Sequence, residues 1–170
     1  EWVITEVSLA LSKSCEGITS YPGIGSYLEE RQLGTSGESI VAAVSHIRAL
    51  KLPDPSRVPN VGSFFKNPVL ADGRAKTFAK AFPDVVQFSV AGGKKLSAAW
   101  LIDHVGLKGY RVGRFVVSEK HALVIINEGN GKQLELFELI GIVKQRVKDT
   151  FGIELEIEPR IYPDRFVMSC

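Results

Sequence analysis

The sequence predicts an α+β fold, a small mixed sheet with packed helices, and three observations carry that expectation. The segment "IELEIE" alternates Ile153, Leu155 and Ile157 with Glu154, Glu156 and Glu158, which is the period of a half-buried strand. From about Gln133 to Phe151, Leu136, Ile140, Val143 and Val147 recur at the spacing of one helix face. Between and before these segments, glycine- and proline-rich turns separate short helical and strand patterns, with no internal repeat and no low-complexity tract.

The elements follow in chain order. "EWVITEVSLALS" sets Val7, Leu9 and Leu11 against Glu6, Ser8 and Ala10, so a strand is expected at the very start, one that belonged to a sheet in a preceding part of a longer protein. Tyr27 to Arg31 are expected to form a short helix. Thr35 and Glu38 have the spacing of a capping box ahead of a helix to about Leu50, with Ile40, Val41, Val44 and Ile47 as its core face. "KLPDPSRVPNVG" is a proline-pinned loop. A helix from about Gly73 to Phe82 stops at Pro83, and "SVAGGKK" reads as a loop. Ser97 caps the helix "AAWLIDHV", which Gly106 stops, and strands follow near Tyr110 to Ser118 and Ala122 to Asn127.

Composition narrows the function classes. With 21 Lys and Arg against 19 Asp and Glu among 170 residues, the charge is too balanced to indicate a nucleic-acid partner or a membrane surface. The cysteines, Cys15 and Cys170, stand near opposite ends with no CxxC pair, which argues against a metal centre or a disulfide framework and fits a cytoplasmic setting. No apolar run approaches the roughly 20 residues of a membrane span. HExxH, GxSxG and a phosphate loop ending in GK[ST] are all lacking, and Gly23 and Gly25 lack the third glycine of a dinucleotide fingerprint.

The stretch "NVGSFFKNP", Asn60 to Pro68, keeps neither a strand nor a helix period for more than a few residues. Ser63 has two readings: a loop serine bonded to its own backbone, or a hydroxyl on a glycine hinge beside Lys66 and Asn67, facing an anionic substrate. His46 and His104 read as structural or surface residues. His121, at the mouth of a strand, reads as a surface residue or a ligand contact. The three glutamates of the last strand are a solvated face, unless a covering domain makes one of them an acid or an electrostatic stabiliser.

"GSFFKNP", from Gly62 to Pro68, preceded by "HIRALKLPDP", resembles the C-terminal half of the UDP-N-acetylenolpyruvoylglucosamine reductases, also called UDP-N-acetylmuramate dehydrogenases. The likeness continues in "KLSAAWLIDHVGLKGYRVG", "KHALVIINEGN" and "FGIELEIEPRIY", in the same order along nearly the whole chain. The resemblance implies a flavoenzyme of peptidoglycan synthesis that takes hydride from NADPH onto FAD and passes it to UDP-N-acetylglucosamine enolpyruvate. It implies that Ser63 is the general acid, that Glu158 is the second catalytic group, and that Lys51, Asn67 and His121 contact the substrate diphosphate. It also implies three parts: residues 1–20 as a strand of the flavin half, 21–151 as the substrate-binding domain, and 152–170 as the strand with Glu158 and a tail returning to that half.

The sequence departs from the family pattern in places. Pro159 follows Glu158 where relatives commonly carry an aliphatic residue, Phe88 is the nearest match to a tyrosine over the substrate, and "DRFVMSC" matches nothing. The family's FAD site lies in its N-terminal half, so this chain is expected to be inactive alone, with a missing FAD-binding half as its partner. The alternative, from another class, is a non-catalytic UDP-sugar-binding or regulatory module. A structural interaction domain that has lost the site is a third reading, against which the joint presence of Ser63, Lys51, Asn67 and Glu158 speaks.

Overall fold

The computed structural model describes residues 3–11 and 17–161, and the tail beyond Ile161 lies outside the described residues. The chain divides into two compact units, one up to Leu50 and one from Lys51 onward.

In the first unit, helix α1 spans Ile24–Glu30 and α2 spans Gly37–Lys51, the latter ending on the first residue of the second unit. Gly23 caps α1 at φ 94, a left-handed conformation that glycine adopts at little cost. The start of α2 corrects the expected capping box. Ser36, not Thr35, supplies the oxygen, accepting from Ser39 N at 3.2 Å. The buried set is Ile24, Leu28, Ala43 and Ile47, with Tyr27 and Ile40 packed against it. Val41, assigned to the core face by its spacing, is 65% exposed and Val44 is also exposed, because the inner face centres on the small Ala43. Residues 3–11 form no strand, and Val7, Leu9 and Leu11 are exposed. Alternation prepares one face for burial, but a strand also needs a partner for its hydrogen bonds.

The α+β class is observed in the second unit, with its strands shared between two small antiparallel sheets. The larger has the order β1 (Asn60–Ser63), β7 (Val124–Asn127), β6 (Phe115–Val117), β5 (Arg111–Val112). The smaller has β2 (Val69–Leu70), β4 (Gly93–Leu96), β3 (Gln87–Val90). Helix α3 runs Asp72–Ala81, α4 Ala98–His104 and α5 Gln133–Phe151. Phe65, Leu96, Leu101, Ile102, Leu107, Leu139, Val143, Val147 and Leu155 are among the side chains of one continuous core.

Several boundaries differ from the sequence reading for local reasons. "SVAGGKK" is the turn and second strand of the β3–β4 hairpin, not a loop: Gly92 takes φ 82, and a Cβ on Gly93 would lie 2.1 Å from Leu70 O. The strand expected over Tyr110 to Ser118 is a β5–β6 hairpin that reverses at Gly113, φ 53. Ser97 caps α4 as expected, accepting from Trp100 N at 3.2 Å. Gly106, φ 69, follows the end of that helix. Helix α5 has the expected limits, with Leu139 and Phe151 joining Ile140, Val143 and Val147 in the core and Leu136 only partly buried. The "IELEIE" period is real, with Ile153 and Leu155 buried and the glutamates exposed, yet the segment makes only one isolated bridge, Phe65 with Ile157.

Candidate functional site

Ser63 ends β1 beside β7. Asn60 pairs with Ile126 and Ser63 with Val124, so three steps on β1 face two on β7, and the strand bulges between them. Gly62 takes φ 74 within the bulge. A substituent there meets open space, so the glycine is required by backbone conformation and not by crowding. Asn60, which the sequence reading did not single out, stabilises the bend. Its Oδ1 accepts from Gly62 N at 3.0 Å, while its Nδ2 donates to Val58 O at 2.8 Å and Pro53 O at 3.3 Å. The asparagine two positions before a glycine was the available signal. The outcome is an exposed Ser63 on a well-held bend.

Both residues that follow are anchors. Phe64 and Phe65 are buried, with ring centroids 5.4 Å apart in an edge-to-face arrangement. Phe64 N donates to Leu123 O at 2.8 Å, and Phe64 O accepts from Glu158 N at 3.0 Å. Lys66 N donates to Glu156 O at 2.9 Å. The backbone next to Ser63 is therefore clamped between the start of β7 and the segment that carries Glu158. Glu158 itself is exposed, and Glu156 forms an ion pair with Lys66.

Asn67 has a structural partner as well. Its Oδ1 accepts from Ala98 N at 2.8 Å, so it caps the first turn of α4 together with Ser97. His121 is half-buried, and its Nδ1 accepts from Leu123 N at 3.3 Å, which puts the proton of the neutral ring on Nε2. Burial pushes the His121 pKa below the ordinary histidine value, and the positive charges of Lys108 and Lys51 push it the same way. Lys108, which donates to Asp103 Oδ2 at 2.6 Å, is a cation that sequence reasoning missed. Lys51 is exposed at the end of α2. Phe88 is 55% exposed on β3, paired across the hairpin with Lys95.

Phe64 is the common point: its two backbone bonds bring the Ser63 bend, the His121–Leu123 turn and Glu158 together. Asn67 is tied to α4, and Lys51 is linked to the group through its charge at His121. An exposed hydroxyl, a carboxylate and a set of cations on a braced backbone can bind an anion and deliver a proton beside it.

Residues 54–162 match the family model described as UDP-N-acetylenolpyruvoylglucosamine reductase, C-terminal domain. Curated relatives bearing the name UDP-N-acetylenolpyruvoylglucosamine reductase include that of Aliivibrio fischeri, 37% identical over 94% of this chain and 45% of the relative, and that of Chromobacterium violaceum, 41% identical over 94% and 47%. A crystal structure of the UDP-N-acetylenolpyruvylglucosamine reductase from Thermus caldophilus aligns with 71% of this chain and 34% of its own, at 29% identity and a TM-score of 0.42. The chain belongs to the UDP-N-acetylenolpyruvoylglucosamine reductase family. It corresponds to that family's C-terminal domain, and it spans slightly under half the length of the curated relatives it matches. Ser63, Asn67, His121 and Glu158 fall inside the matched residues, and Lys51 lies just before them.

The flavin that this reductase family implies does not fit the described residues. Gly23 and Gly25 open a helix of only seven residues, and among the described residues no strand precedes it. A cavity of about 410 Å³ lies between Pro55, Pro59, Val61, Phe64 and Leu136, but its lining includes no cation for a dinucleotide's diphosphate. Among the described residues no helix is long and apolar enough to cross a membrane.

Proposed function

We propose that this chain is the substrate-binding and proton-donating part of a cytoplasmic NADPH- and FAD-dependent reductase of peptidoglycan synthesis, one that converts UDP-N-acetylglucosamine enolpyruvate to UDP-N-acetylmuramate. The observation that carries the reading is the bend of Ser63, held by Asn60 on one side and by the Phe64–Glu158 bond on the other. A flavin held by the other half of such a reductase would supply the hydride for one carbon of the enolpyruvyl double bond. The neighbouring carbon then needs a proton. Ser63 Oγ–H donates it, and the resulting alkoxide is reprotonated from solvent. A serine hydroxyl is a weak acid in water, so its donation depends on a positioned, charge-stabilising site. Glu158 is the second group of that site.

Lys51, His121 Nε2 and Asn67 Nδ2 are the diphosphate donors in this reading. The helix bond at Asn67 Oδ1 supports it by orienting the amide, which leaves Nδ2 as the group for a ligand. Without a flavin fit of its own, the 170-residue chain is expected to turn over no substrate alone. The misfit also keeps a second reading in view, a UDP-sugar-binding or regulatory module without catalysis. Ser63→Ala in a complete reductase bearing this domain tests the first: flavin reduction by NADPH stays near normal, and product formation falls by about 10²-fold or more. Equal loss of both half-reactions overturns the general-acid role. Binding of the UDP-sugar by this chain, weakened in Lys51→Ala, combined with normal product formation by the Ser63→Ala reductase, supports the module.

A further inference from the structure

The isolated bridge between Phe65 and Ile157 sets a register for the residues around it. Antiparallel pairing places Lys66 opposite Glu156 and Phe64 opposite Glu158, and the two bonds Lys66 N to Glu156 O and Glu158 N to Phe64 O flank the bridge. Lys66, Glu156 and Glu158 therefore lie on one face, which they share with the buried Phe64, and all three are exposed. Glu156 is the direct cross-strand neighbour of Lys66. Glu158 is its diagonal neighbour, at about 7–8 Å between Cα atoms and within reach of a lysine side chain. One ammonium thus stands before two carboxylates, and its salt bridge is made with Glu156.

Magnitudes decide what that salt bridge does. Lys66 and Glu156 are 50% and 71% exposed, and exposed pairs contribute little to holding a chain in place. The loop is already held by the burial of Phe65, at 1% exposure, and by the two backbone bonds. A latch function would be redundant. The choice of carboxylate is not redundant, because an ammonium on Glu158 would occupy the oxygens that the proposed reaction needs and hold the side chain toward β1.

We propose that Glu156 is a positioning residue: it retains the Lys66 ammonium and keeps it off Glu158, leaving that carboxylate available to the reacting end of the substrate. This inference rests on the proposed catalytic role of Glu158. It differs from a purely structural role in one respect, which is that removing the lysine should repair the loss of Glu156.

The test uses four variants of a complete, flavin-loaded reductase carrying this domain: Glu156→Gln, Lys66→Met, the double variant, and Glu158→Gln. Glu156→Gln is expected to lower kcat about fivefold with KM within about twofold of the parent, and the double variant to recover most of that loss. Melting temperatures of the variants of this chain should stay together, since both side chains are exposed. A double variant no better than Glu156→Gln, or a Glu156→Gln protein with unchanged kcat, overturns the proposal while the role of Glu158 stands. Full turnover by Glu158→Gln instead removes the catalytic reading itself, and the inference falls with it.

Discussion

The two units of the chain differ in how their apolar residues are used. The first gathers four buried side chains, Ile24, Leu28, Ala43 and Ile47, and leaves Ile18, Tyr21, Leu33, Val41 and Leu50 exposed. The second builds a core that runs from Phe64 to Leu155 through both sheets and all three of its helices. All five candidate site residues, Lys51, Ser63, Asn67, His121 and Glu158, belong to the second. The lesson is that side-chain chemistry at this site depends on backbone precision, which a continuous core supplies. A pair of helices packed around an alanine supplies less of it, since so small a buried cluster has little to reinforce each contact.

Changes at four residues would break or sharpen that contrast. Phe65→Ala removes an aromatic ring from the centre of the larger core and should cost about 3–5 kcal/mol in denaturant unfolding of the second unit. The loss should also free the bridge to Ile157. Ile47→Ala should cost less, about 2 kcal/mol, with amide exchange accelerating in α1 and α2 before α5. An equal or larger cost than that of Phe65→Ala would contradict the distinction between the units.

Asn67→Ala removes one cap of α4 and should lower stability by about 1 kcal/mol, whereas Asn67→Asp, which keeps an acceptor for Ala98 N, should retain most of it. A diphosphate role adds a separate outcome, because Asp brings a negative charge and should weaken UDP binding in calorimetry while the fold is kept. The smallest effect is that of pH on His121. Its folded pKa lies below the unfolded value near 6.5, so the unfolded state takes up protons first as pH falls. Stability from this group is complete above about pH 6.5 and declines as pH drops through the window between the two values. His121→Gln should flatten that part of a pH–stability curve, and an unchanged curve would mean that the ring's burial carries no such cost.

How much of this was legible in the sequence depended on whether a local period survived in three dimensions. Gln133 to Phe151 was readable because 19 residues of helix repeat one buried face without interruption. The β3–β4 hairpin was hidden because its strands alternate weakly, and its decisive feature is Gly93 pressed against the backbone of Leu70. Val7, Leu9 and Leu11 carry a strand period without a described partner strand, and the period alone did not produce one. Within the site, Ser63 escaped any period because the bulge at Gly62 breaks it. That break is what made the segment conspicuous. Asn60 and Lys108 were missed: the spacing of Asn60 to Gly62 was a signal, but its bonds to Pro53 and Val58 appear only in the fold, and the role of Lys108 lies in its charge at His121. Resemblance supplied the proposed residue roles, which period and spacing left open.

The bridge between Phe65 and Ile157 also bears on when the site comes into being. Lys66 and Glu156, which flank it, are 90 residues apart along the chain. Contacts of such separation close late in folding, because the intervening loop must be ordered before they reward its closure. During synthesis the Ser63 bend leaves the ribosome long before Glu158 exists. The segment that carries Glu158 therefore completes the candidate site, and a nascent chain cannot assemble that site until this segment has been made.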